Sequence, residues 1–288
     1  MADGDPTFVL VTGSGATSFL WNPVVGEIVL RGHRALPVEL PGHGFDTVFP
    51  AGYGSPQDLE LFAGAPSPMA GLTLDDYAEH TLRIVRRAAE HGPVVLVGHS
   101  LGGSTATRVA NAAPELLAHV VYLSAYCCVD SATVVAYAPT TPAPDSPLAR
   151  ARRTAFLGDP RRTGVTRTNP RTGDPDVLAV QHALLMADLD TQHVPAVLAY
   201  ATQPDEPLQV VLADARVDPE TWGRLPRTYI RTDRDEVVPL EVQDRMIAEA
   251  DRLVPATPFT VHTITASHFA PITHPAEVAD LLITSIVR

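Results

Sequence analysis

Val94-Val95-Leu96-Val97-Gly98-His99-Ser100-Leu101-Gly102, followed by the run Gly103 to Ala113, is the stretch whose reading decides the fold. Four consecutive apolar residues, three of them β-branched, predict a strand buried on both faces, as in a parallel sheet. The run from Gly103 to Ala113 predicts a helix. Between them, Gly98-His99-Ser100-Leu101-Gly102 has the Gly-x-Ser-x-Gly form of a sharp strand-to-helix turn. Its glycines permit the strained backbone that lifts the Ser100 hydroxyl above the sheet edge, and the helix behind it aims N-terminal amides at developing negative charge. Three fixed residues can coincide by chance, so the strand before and the helix after give the pattern its weight.

The same alternation extends outward. Upstream lie strands Phe8 to Thr12 and Arg34 to Leu40, with a helical pattern from Trp21 to Leu30 between them and the turn Gly13-Ser14-Gly15-Ala16 after the first. Thr73-Leu74-Asp75-Asp76 reads as a capping box that opens a helix with Leu74, Tyr77, Ala78, Leu82, Val85 and Ala89 on one face. Downstream come strands Val120 to Leu123, Thr228 to Ile230 and Phe259 to Ile264, then a closing helix near Ala276 to Ile286. The expectation is an α/β fold with a mostly parallel six-stranded sheet flanked by helices. Residues 130–224 are too many for a structureless connection, so they are read as an inserted cap lobe on a core of 1–129 and 225–288. Helices are expected in that lobe near Asp176 to Asp188 and Asp205 to Ala215. Phe45 to Gly71, rich in Gly, Pro and Ser, reads as a long surface loop over one end of the sheet.

Composition limits the partners. The chain has 288 residues, 45% hydrophobic and 19% charged, which suits a large core and excludes a disordered chain. Its net charge of −12 repels phosphate backbones and anionic membranes, so neither nucleic acid nor membrane is an expected partner. No apolar run reaches membrane-spanning length, and Met1 to Pro6 is acidic where a signal peptide is basic, so a cytoplasmic location is expected. Cys127 and Cys128 are adjacent, a poor geometry for a disulfide, and two cysteines are too few for a zinc site. No metal-binding, phosphate-loop or dinucleotide motif appears, so no cofactor is expected. Oligomeric state is not readable from the sequence.

A serine hydroxyl needs a histidine base, and the base needs a partner that fixes its tautomer. The order in this class of sheet is serine, acid, histidine. Only His262, His268 and His274 lie beyond the last strand that could carry the acid. His262 falls inside a strand and His274 directly precedes Pro275, whereas His268 sits in the loop after the sixth strand and can reach over the sheet edge. Asp233 and Asp235 both follow the fifth strand. Asp235, further into the loop, ranks first, with Asp130 after the fourth strand as the remaining alternative. His99 reads as structural.

These features resemble the α/β-hydrolase superfamily, and most of all the branch of plant methylesterases and hydroxynitrile lyases. Val11-Thr12-Gly13-Ser14 sits where that branch carries its oxyanion turn, Trp21 follows at a similar spacing, and Thr232-Asp233-Arg234-Asp235-Glu236 is similar to its acid loop. Leu40-Pro41-Gly42-His43-Gly44 is a mark of the wider superfamily. The resemblance implies that Asp235 completes a triad with Ser100 and His268, and that the backbone N–H groups of Ser14 and Leu101 form the oxyanion hole. Gly13 and Phe269 stand where the lyases carry threonine and lysine, and Ser100 stands where epoxide hydrolases and dehalogenases carry aspartate. The implied activity is therefore hydrolysis of a carboxylic ester or thioester of a small to medium organic substrate through an acyl-enzyme. The alternatives are a natural-product cyclase, lyase or acyl transferase using the same residues, or a receptor-like binding module. Arg150, Arg152, Arg153, Arg161, Arg162, Arg167 and Arg171 read as a solvated cap surface, with attraction of an anionic substrate or acidic carrier as the other reading. Leu184, Leu185, Met186, Val197 and Leu198 suit either a cap core or an acyl pocket.

Overall fold

The computed structural model describes residues 5–138 and 145–286, the Arg152 side chain excepted. It contains β1 (Thr7–Val11), β2 (Arg34–Val38), β3 (Val94–His99), β4 (His119–Leu123), β5 (Val165–Arg167), β6 (Asp205–Pro207), β7 (Arg227–Thr232) and β8 (Thr260–Ile264). Six of these form one sheet in the order β2-β1-β3-β4-β7-β8, and every neighbouring pair is parallel. The sheet is thus wholly rather than mostly parallel. The apolar runs of β1, β3 and β4 are buried throughout, while β2 and β8, at the two edges, are partly exposed.

Alternate strand residues face opposite layers. Val9, Leu96 and Val120 pack with the helix Leu74–Ala89, which starts on the Thr73/Asp76 capping box, and with the helix Gly102–Ala112. Phe8, Leu10, Val95 and Val121 pack with the helices Asn22–Leu30 and Pro275–Thr284. From β1 the chain steps out to β2 and returns across β1 to β3. The carboxyl ends of β1 and β3 therefore flank the point where strand order reverses, the usual place for a ligand crevice in such sheets.

Two expectations change, one within residues 130–224 and one within residues 45–71. No helix runs from Asp205 to Ala215: Asp205–Pro207 is β6, antiparallel to β5, and only Leu208–Leu212 is helical. The carboxylates of Asp205 and Glu206 are buried with fixed partners, which holds the backbone extended until after Pro207. The segment 45–71 is also more than a surface loop, since it holds the helix Leu59–Gly64 and the short 3-10 helix Pro68–Gly71.

Arg167 ties these parts together. Fully buried in β5, it donates to both Asp205 oxygens at 2.6 and 2.7 Å, to the Ala65 carbonyl at 2.9 Å and to the Phe62 carbonyl. It is a staple rather than part of a solvated surface. Arg171 lies over the rings of Phe49 and Tyr53, and Arg150, Arg153, Arg161 and Arg162 are exposed; the Arg152 side chain lies outside the described residues. Arg167→Met is expected to lower stability by about 3–5 kcal/mol, because it strands a buried Asp205 carboxylate. Urea denaturation measures this, and an unchanged midpoint contradicts the assignment. Among the described residues no helix is long and apolar enough to cross a membrane.

Candidate active site

Ser100 follows β3 with φ of 55°, a left-handed conformation that few non-glycine residues adopt. Two close approaches force this turn. A Cβ on Gly98 would lie 2.7 Å from the Gly102 carbonyl oxygen, and one on Gly102 would lie 2.4 Å from that of Thr12. Glycine at both ends lets the helix Gly102–Ala112 start hard against β1 and leaves the Ser100 hydroxyl projecting from the sheet edge.

The structure brings Ser100, His268 and Asp235 into one hydrogen-bonded chain. His268 Nε2 lies 3.0 Å from Ser100 Oγ, and His268 Nδ1 lies 2.7 Å from Asp235 Oδ2. The same carboxylate oxygen accepts from Thr232 Oγ1 at 3.0 Å and from Ser124 Oγ, while Oδ1 accepts the Val237 and Val238 N–H groups at 2.8 Å each. Burial alone would raise the Asp235 pKa, but the His268 imidazole and the Ser124 and Val238 donors outweigh it and hold the carboxyl below its ordinary value. The other candidates lie elsewhere. Asp130 pairs with Arg252 at 2.7 Å, Asp233 accepts from Thr265 Oγ1 at 2.9 Å, His262 stays within β8, and His274 lies 3.2 Å from Asp188.

His99 packs against the His268 ring. Buried behind Ser100, it directs Nε2 at the His268 carbonyl 2.9 Å away. Burial, with the neighbouring His268, pushes its pKa down to about 3, so it is neutral and carries its proton on Nε2 as the donor. Cys127 and Cys128 are free and buried, and burial pushes both thiols well up, so neither is a thiolate near neutral pH.

The turn after β1 packs directly on the serine: a Cβ on Gly13 would lie 2.5 Å from Ser100 Cβ. Ser14 borders the cavity above it. Leu101 precedes the helix Gly102–Ala112, where backbone N–H groups have no intrahelical acceptor. Residues 201–206 grip this turn. Thr17 N–H donates to the Ala201 carbonyl at 2.9 Å, Gln203 N–H to the Gly15 carbonyl at 2.8 Å, and Gly15 N–H to Glu206 Oε2 at 2.7 Å. Glu206 also accepts from Tyr77 Oη at 3.2 Å and meets His43 Nε2 at 3.4 Å.

Sequence reasoning missed these supports. Leu40-Pro41-Gly42-His43-Gly44 stood out as a pattern, but nothing local says that His43 faces a carboxylate 163 positions away. Burial opposes a charge on His43, yet the bond to Glu206 prevails and its pKa lies above the ordinary 6.5. A raised histidine pKa contributes stability that is full below about 6.5 and is lost as pH rises through the raised value. The Tm gap between wild type and Glu206→Gln is therefore expected to be wide at pH 6 and narrower at pH 8.5. A gap independent of pH contradicts the pairing.

A cavity of about 180 Å³ opens over Ser100 and His268, with Leu184, Leu185, Leu198 and Phe269 among its apolar walls. Met186 and Val197 do not line it but pack with Leu20 in the apolar cluster that also holds Leu185, Leu198 and Phe269. Phe269, at the position where a lysine would mark a lyase, is buried and apolar.

A family model described as "Alpha/beta hydrolase family" matches residues 8–281. The "Probable esterase PIR7A" of Oryza sativa subsp. indica is 30% identical over 125 residues, which are 43% of this chain and 41% of that protein. The chain thus spans about two-fifths of that relative's length. "Methylesterase 10" of Arabidopsis thaliana is 25% identical across 96% of this chain and 90% of its own. The crystal structure of polyneuridine aldehyde esterase superposes with a TM-score of 0.71 at 20% identity, covering 97% of this chain and 98% of that one. That likeness shows a shared fold.

Proposed function

Because this chain belongs to the alpha/beta hydrolase family, we propose that it is a serine esterase that cleaves a carboxylic ester or thioester through an acyl-enzyme. The observation that carries this reading is the chain Asp235, His268, Ser100, with contacts of 2.7 and 3.0 Å at the floor of a partly open cavity. Ser100 Oγ attacks the substrate carbonyl while His268 Nε2 takes its proton. Asp235 keeps the Nδ1 proton in place and stabilises the imidazolium. The Ser14 and Leu101 N–H groups receive the oxyanion, preorganised by the packing of Gly13 on Ser100 and by the grip of the insertion on Gly15. His268 then returns the proton to the leaving alcohol or thiol, and water repeats the sequence on the acyl-enzyme to release the acid.

Several features support this assignment over its neighbours. The apolar Phe269 offers no ammonium to a cyanohydrin, and the names of the rice and Arabidopsis relatives are those of esterases. Residues 130–224 act as a cap on a catalytic core of 1–129 and 225–288, since they supply the upper wall of the cavity and the clamp on the oxyanion turn. Free buried thiols and a net charge of −12 fit a cytoplasmic enzyme acting on a small molecule. A series of p-nitrophenyl esters tests the reading. Turnover is expected to favour compact acyl groups that fit about 180 Å³ and to fall for dodecanoyl and longer chains; no ester turnover above buffer contradicts it.

A further inference from the structure

The insertion side of the cavity carries a polar group that the triad chemistry does not use. Gln181 lies in the helix Pro175–Leu185 on one face with Leu184 and Leu185, and all three line the cavity over Ser100. The residue is only 6% exposed, and its amide, which faces the cavity, makes no hydrogen bond to any described residue. Thr166 and Thr168, alternate residues of β5 and its continuation, line the same cavity, and neither hydroxyl is bonded to a described residue. Arg167 between them is committed to Asp205. Glu206 also borders the cavity, but its oxygens are occupied by Gly15, Tyr77 and His43.

The Gln181 amide is not among the enclosed polar atoms without a partner, so it opens on the cavity, and an occupant that displaces solvent from it without replacing those hydrogen bonds leaves it unpaired at a cost. A leucine at position 181 would continue the apolar face of its helix without that cost. The polar atoms of Gln181 therefore find their use in what enters the cavity. A carboxamide both donates and accepts, as hydroxyls do, and none of these three side chains carries charge. Among the described lining residues there is no arginine to meet an anion. The cavity of about 180 Å³ has the size of one ring with a small substituent, given that roughly 150 Å³ holds a benzene.

We propose that Gln181, with Thr166 and Thr168, forms a polar subsite that selects esters whose buried part is ring-sized and carries an uncharged hydrogen-bonding group, such as a hydroxyl, ketone or carboxamide. The subsite names the substrate class of the site and rests on the esterase reading for that role. Binding tests it apart from turnover. In a Ser100→Ala background, calorimetry compares methyl 4-hydroxycyclohexanecarboxylate with methyl 4-methylcyclohexanecarboxylate, and 4-hydroxycyclohexyl with 4-methylcyclohexyl acetate, so that either orientation of the ester is read. The hydroxylated member of at least one pair is expected to bind about tenfold tighter, and Gln181→Leu to bring that pair within about twofold. If Gln181→Leu unfolds, Gln181→Met and Thr168→Val carry the same comparison. Equal affinities within both pairs, no binding of any of the four, or a preference that survives loss of the Gln181 amide overturns the subsite. Hydrolysis of the methyl-substituted esters by the protein with Ser100 intact is scored separately. Its absence counts against the esterase reading and leaves the binding comparison standing on its own.

Discussion

Ser100→Ala is expected to lower kcat/KM for any ester substrate by about four to six orders of magnitude, the loss that follows removal of a triad nucleophile. The change deletes one hydroxyl and keeps a residue that tolerates the left-handed backbone at φ of 55° about as well as serine does. The fold should be retained. Circular dichroism and thermal unfolding check this alongside the kinetics. A folded Ser100→Ala protein with activity within tenfold of wild type would remove Ser100 from the mechanism.

Asp235→Asn is expected to cost about 10⁴-fold in kcat with little change in structure. Asparagine can keep one oxygen towards the Val237 and Val238 N–H groups, which now donate to Asp235 Oδ1. Its NH₂ then faces His268 Nδ1 and drives the proton to Nε2, where the ring can no longer accept from Ser100. Acid stability moves as well. A depressed carboxyl contributes stability that is present above its ordinary 3.8 and is lost as pH falls through the lowered value, and the asparagine variant lacks this contribution. Asp130→Asn serves as the contrast. Asp130 pairs with the exposed Arg252, so turnover should stay near wild type. Full activity of Asp235→Asn together with an inactive Asp130→Asn would move the acid to the end of β4.

The parallel sheet was legible in the sequence because β1, β3 and β4 are buried on both faces and so consist of unbroken apolar runs. Ser100, His268 and Asp235 were legible for a related reason, since each stands just past the end of one of the parallel strands, β3, β8 and β7. The insertion was harder to read. Asp205-Glu206-Pro207 has the polarity of an exposed helix start, and only the distant Arg167, Gly15 and His43 turn it into a buried strand. Arg167 looked like one of a run of surface arginines until its partners folded around it. Ser124, which donates to Asp235 with φ of 43°, and Gln181 leave no periodic or spacing signal at all. Their environment is assembled from segments more than a hundred residues apart in the first case and from the insertion and core together in the second.

Intact-mass analysis after treatment with a fluorophosphonate tests the central claim most directly, because the reagent phosphonylates a serine only when a base and an oxyanion site activate it. Wild type is expected to gain a single adduct that maps to the peptide containing Ser100, and Ser100→Ala none. An unmodified wild type, or equal labelling of both proteins, would contradict the account.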